Sequence, residues 1–143
     1  CESLMSVVIP NGVTEIGNGA FNGCKSLTSI VIPDGVTKIS CAVFKGCENL
    51  TSVAIPNSVT EIANAEFECC KSLTSIVIPD GVTKIGYVVF KDCENLTNIV
   101  IPDSVTRIEK DAFDTCAKLT IHAPTGSYAE QYATDRNIPF IAE

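Results

Sequence analysis

Eight cysteines, one histidine and a row of Asn and Asp residues are the side chains in this 143-residue chain that could do chemistry. Six of the cysteines fall at a constant 23-residue step: Cys1, Cys24, Cys47, Cys70, Cys93 and Cys116. Cysteines at this density suggest a disulfide framework or a zinc site. The spacing argues against both. Zinc needs four ligands converging on a point, which a straight row cannot supply. Adjacent members of such a row lie within disulfide reach, but their side chains run parallel instead of facing one another. The expectation is therefore six thiols packed as small buried hydrophobes. Cys41 and Cys69 lie off the row and are expected to be the exposed thiols.

His122 is the only histidine, and nothing in the sequence orients a Cys-His or Ser-His pair around it. Asn11, Asp34, Asn57, Asp80 and Asp103 recur one per repeat. A single carboxylate per turn is a poor calcium cage, and the Pro-Asx context reads as a turn. Asn49-Leu50-Thr51 and Asn95-Leu96-Thr97 match glycosylation sequons, but the repeat spacing already accounts for them. No phosphate loop, dinucleotide fingerprint or zinc-protease helix is present. The chain is expected to be non-catalytic, with no metal and no cofactor.

The elements that position these residues follow from the period. Five units from Cys1 to Thr115 share the pattern C-x-x-L-x-x-[IV]-x-I-P-x-x-V-T-x-I-x-x-x-x-F-x-x, and a sixth begins at Cys116. In the second unit, Leu27, Ile30 and Ile32 form a strand with inward apolar residues, and Pro33-Asp34-Gly35 turns the chain. Val36, Ile39 and Phe44 then point inward from the return side. One unit cannot bury so thin a core, but a stack of them can. The fold expected is a right-handed leucine-rich-repeat solenoid, mainly β. A parallel sheet covers one face, and turns with irregular or short helical segments form the other. Strands spaced by about 4.8 Å give five coils a stack on the order of 24 Å.

Charge columns alternate in sign over most steps from coil to coil: Glu2, Lys25, Glu48, Lys71, Glu94, then Glu15, Lys38, Glu61, Lys84, Arg107, and Asn22, Lys45, Glu68, Lys91, Asp114. Opposite charges on neighbouring coils set register, each pair contributing about 0.2–1 kcal/mol. The second and fourth units share 19 of 23 residues, which points to a duplicated 46-residue block. After Leu119 the pattern breaks. Ser127-Tyr128-Ala129-Glu130 reads as a capping box for a helix over about 128–135, and Ile138–Ile141 as a last extended segment. Residues 1–120 are thus the repeats and 121–143 a cap, one continuous domain. No cap precedes the first coil, which is expected to expose Leu4, Val7 and strand edge groups and to invite end-to-end association.

With Lys plus Arg at 10 against Asp plus Glu at 17, the net charge is −7. That argues against nucleic acid and anionic membranes as partners. No apolar run approaches the roughly 18 residues that cross a bilayer. The chain opens at Cys1 in mid-pattern, with neither an initiator Met nor a leader, and is expected to be a piece of a longer protein.

The motif L-x-x-I-x-I-P-x-x-V-T-x-I-x-x-x-A-F-x-x-C, over residues 1–120, resembles the BspA-type leucine-rich repeat family. The stretch 126–133, with Ile138 and Phe140, resembles the end cap of bacterial members. The resemblance implies a secreted or cell-surface bacterial protein that adheres to host or matrix proteins. Glu66 and Cys69 depart from the pattern and mark the third loop as a non-standard copy. A host, matrix or other surface protein is expected to bind through the exposed sheet face or its flanking turns, the face being Thr28, Ser29, Val31, Thr51, Ser52, Ala54, Thr74, Ser75, Val77, Thr97, Asn98 and Val100. The alternative is a spacer with no ligand of its own. The strand-forming preference of Thr and Val would explain the same face.

Overall fold

Each repeat builds one coil of a parallel β-solenoid, in a computed structural model that describes all residues 1–143. The strands and helix, in chain order, are β1 (Glu15–Ile16), β2 (Ser29–Val31), β3 (Lys38–Ile39), β4 (Ser52–Ala54), β5 (Glu61–Ile62), β6 (Ser75–Val77), β7 (Lys84–Ile85), β8 (Asn98–Val100), β9 (Arg107–Ile108), β10 (Thr120–Ala123), α1 (Tyr128–Asp135) and β11 (Phe140–Ala142). They form two rows. The even-numbered strands come from the [IV]-x-I segments and the odd ones, up to β9, from the T-x-I segments. Pairing is parallel and offset by one repeat, as in Ile30↔Val53, Ile76↔Ile99 and Ile85↔Ile108.

The second row is an addition to the single sheet expected from the pattern. In each T-x-I segment the charged residue faces out and the Ile faces in, a two-residue alternation too short to read as a strand until neighbouring coils pair it. The return segments contain turns and no helix. Two columns in them hold the left-handed backbone conformation. One is Gly19, Ala42, Ala65, Val88 and Asp111, with φ between 50° and 62°. The other is Gly23, Gly46, Cys69, Asp92 and Thr115, with φ between 61° and 74°. These kinks flank each Phe and aim three amides per coil at the next coil's carbonyls, as in Ala42 N–H to Asn64 O, Phe44 N–H to Glu66 O and Gly46 N–H to Glu68 O, at 2.8–3.1 Å. The third loop therefore keeps the standard backbone despite Glu66 and Cys69.

The core is a set of ladders. Leu27, Leu50, Leu73 and Leu96 are fully buried. Phe21, Phe44, Phe67, Phe90 and Phe113 stack with centroids 5.4–5.8 Å apart and planes within 10° of parallel. The helix starts where the capping box places it: Ser127 Oγ accepts from the Glu130 amide at 3.2 Å, and Glu130 Oε1 accepts from the Gly126 amide. Its buried face carries Ala129, Tyr132 and Ala133. β11 pairs with β10 and closes the first row.

Leu4 and Val7 are half-buried, not exposed, because the second coil shields one side of each. The exposed large apolar residues of the first coil are Met5 and Val8, the latter 92% exposed.

Candidate functional site: an uncharged strand face beside an inert thiol column

The outward side of the first row carries no charge. Thr28, Ser29, Val31, Thr51, Ser52, Ala54, Thr74, Ser75, Val77 and Asn98 are exposed, while Thr97 and Val100 are half-buried beside the cap. Strand alternation places them: in β2 and β6 the middle Ile is buried and the residues on either side face out. The threonines also serve the fold, since Thr51 Oγ1 donates to Thr28 O and Thr97 Oγ1 to Thr74 O, both at 3.1 Å. Val31 and Val77 stand out at 69% and 62% exposure, with the smaller Ala54 between them, so the face has one notch in its apolar ridge.

The face ends at His122. Its Nε2 lies 2.8 Å from Asn98 Oδ1 and its Nδ1 lies 3.4 Å from Glu143 Oε1. Both ring nitrogens are thus occupied by an amide and a carboxylate, and no hydroxyl or thiol nucleophile is bonded to the ring.

The thiol column has a specific structural job that spacing did not reveal. Cys47, Cys70, Cys93 and Cys116 each direct Sγ to a Phe carbonyl 26 residues back, at 3.0–3.2 Å. Each such carbonyl also accepts the amide of an earlier cysteine, as Phe21 O accepts from Cys24 N–H at 3.1 Å. Burial pushes the Cys47 thiol up to about 11 and that of Cys116 to about 12, and drives Cys70 and Cys93 higher still. Thiols held this way are poor nucleophiles and poor ligands.

One pair in the column overturns the expectation of free thiols throughout. Cys1 and Cys24 form a disulfide, their Cα atoms 4.9 Å apart. Off the column, Cys41 is exposed, whereas Cys69 is half-buried with Sγ 3.8 Å from Asp92 Oδ2. Burial first, then Asp92 and Glu68, raise the Cys69 thiol.

The remaining candidates disperse. No three His, Cys, Asp or Glu side chains converge as a metal-holding group. The sequon residues Asn49 and Asn95 donate Nδ2 to the Lys25 and Lys71 carbonyls at 2.7 and 2.8 Å, so the nitrogen a glycan would need is already engaged. The charge columns pair across coils in part. Lys38–Glu15 at 3.3 Å, Lys45–Glu68 at 3.1 Å and Glu48 between Lys25 and Lys71 follow the alternation. Lys84 turns instead to Glu109, which Arg107 also contacts.

Comparison with known proteins agrees with this geometry. No curated protein matches the chain. Among solved structures, a leucine rich cell surface protein from Faecalibacterium prausnitzii A2-165 is similar at 38% identity and a TM-score of 0.83, over 90% of this chain and 34% of that one. The T. pallidum leucine rich repeat protein is 35% identical, with a TM-score of 0.79, over 82% of this chain and 58% of its own. A leucine-rich repeat protein from Bacteroides ovatus covers 99% of this chain at 32% identity and 43% of its own length, with a TM-score of 0.74. This chain spans between a third and three fifths of these relatives. No helix is long and apolar enough to cross a membrane. The model of the BspA type leucine rich repeat region matches six times over residues 1–120, in step with the coils, and the chain belongs to that family.

Proposed function

We propose that this solenoid is a protein-binding module of a bacterial surface or secreted protein, and that it engages an extended partner segment through the first-row face. The observation that carries the reading is the face itself. It presents three uncharged columns with exposed valines at a regular coil spacing, on a chain whose net charge is −7. Such a surface offers hydroxyls and apolar side chains to a partner without the cost of desolvating charge. A solenoid surface of this kind suits an elongated ligand better than a small one. The extracellular placement rests on the cell-surface description of the F. prausnitzii relative.

Replacing Val31, Val77 and Ser52 by charged residues tests the main reading. Each is exposed, so the fold is kept, and capture of host or matrix proteins is expected to drop at least tenfold. The sameness of the face supports a second reading, a spacer: a site for one ligand would break the repeat. A module that captures no protein before or after the replacements is a spacer.

A further inference from the structure

The strand ladders are parted at two places, and both lie on the third coil. In the first row, β4 pairs with β2 and not with β6. In the second, β5 pairs with β7 and not with β3. The bonds that recur elsewhere are missing there. Thr51, Thr97 and Thr120 N–H each donate to the threonine one coil back at 2.8–2.9 Å, but Thr74 does not donate to Thr51. Thr83 and Thr106 do the same at 2.9 Å in the second row, and Thr60 does not donate to Thr37. Ile55 and Ala63 amides likewise lack the bonds that Ile78 and Gly86 make. The first half of the third coil is thus bonded to the coils before it, and the second half to the coils after it. The chain crosses between the two blocks at the Pro56-Asn57-Ser58 turn.

Side chains follow the same line. Val53 and Ile55 are half-buried, whereas Ile76 and Ile78 in the next coil are buried. A groove of about 420 Å³ over β4 and β6 reaches these inward residues, and one of about 680 Å³ runs from β1 across β3 to β5. The sequence differs at the same place: the third strand reads Ser-Val-Ala-Ile where the second and fourth read Ser-Ile-Val-Ile. Meanwhile the return side is unbroken. Phe44, Phe67 and Phe90 stack without a gap, and the return-loop amides of Ala42, Phe44, Gly46, Ala65, Phe67 and Cys69 all reach the next coil's carbonyls.

We propose that the third coil is a built-in hinge, with the return-loop ladder and Phe stack as its axis and the two parted strand rows as the sides that open. Residues 1–55 and 60–143 move as two blocks, and opening changes the curvature of the uncharged face. A row of identical coils would bend evenly along its length, whereas this one bends at one coil.

Amide hydrogen exchange of the whole chain, resolved by residue, tests the hinge. Ile55, Thr60, Ala63 and Thr74 are expected to exchange on the order of a hundredfold faster than Ile78, Thr83, Gly86 and Thr97. The double substitution Val53→Ile with Ala54→Val copies the second and fourth strands into the third. It is expected to slow all four amides, including Thr60 and Ala63 in the other row, because one opening exposes both sides. Ala54→Val alone serves if the pair does not fold. Equal protection in every coil overturns the hinge. So does fast exchange that these substitutions leave unchanged or slow only in the first row, which would mean local gaps and no shared motion.

Discussion

The Phe113 and Tyr132 rings meet edge to face, their centroids 5.9 Å apart at 63°, and this contact ends a stack of five parallel phenylalanines. Arg136 lies over the far side of Tyr132, 3.9 Å from the ring centre. The last apolar rung is thereby covered first by an aromatic edge and then by a cation that faces solvent. Aromatic pairs favour such edge contacts over face-to-face overlap, and a guanidinium suits the remaining ring face.

Removing Tyr132 should therefore uncap the ladder. Tyr132→Ala is expected to destabilise the solenoid by about 3 kcal/mol, in the range of large aromatic truncations. Arg136→Ala, on the exposed side, should cost under about 1 kcal/mol. Chemical denaturation of the two variants measures the difference.

Glu66 predicts a pH dependence. It is only 2% exposed, and neither carboxyl oxygen has a well-placed hydrogen-bond partner. Burial pushes its carboxyl up to about 9, with the Val43 backbone pulling weakly the other way. A folded-state value above the unfolded one near 4.5 means the folded protein holds the proton more tightly. The resulting stability is fully present below about pH 4.5 and is lost as pH rises towards 9. At pH 7 the loss is on the order of 3 kcal/mol. Glu66→Val, which copies Val43 and Val89, is expected to raise the melting temperature at pH 7–8 and to leave it nearly unchanged near pH 4.5. A constant difference across that range would contradict the assignment.

Thiol labelling of the native, unreduced protein should modify Cys41 first and Cys69 more slowly. Cys47, Cys70, Cys93 and Cys116 should react only on the timescale of unfolding, because their thiols are buried or raised and committed to carbonyls. Cys1 and Cys24 should become reactive only after reduction. Mass spectrometry of labelled peptides against time resolves the order.

Val88 is a β-branched residue at φ 50°, in a column that begins with Gly19. Such residues rarely adopt that conformation. Val88→Gly is expected to stabilise by up to about 1 kcal/mol, the relief of strain exceeding the loss of a half-buried side chain. Ala63→Gly, at a position without positive φ, should not stabilise. Thermal melts of both variants compare the effects.

The sequence by itself determined the coil. A 23-residue step with Leu, Ile and Phe at fixed offsets can bury its apolar side only by stacking, so the ladders, the turn row and the capping helix were all legible from Cys1 to Asp135. The uncharged columns of the face were legible for the same reason, since strand alternation fixes which side each residue takes. What the tertiary structure decided lies between coils. The second strand row exists only because neighbouring coils pair two-residue segments such as Lys38–Ile39. The cysteine column looked like packing alone, because the carbonyl each thiol meets sits 26 residues back, on a coil that spacing does not bring to mind. Glu66 was visible as a departure, but only the packing around it decided that it is buried rather than turned to water. The parted ladders at the third coil are a matter of which neighbouring strands pair, and a repeat pattern that tolerates Val53 and Ala54 does not show it.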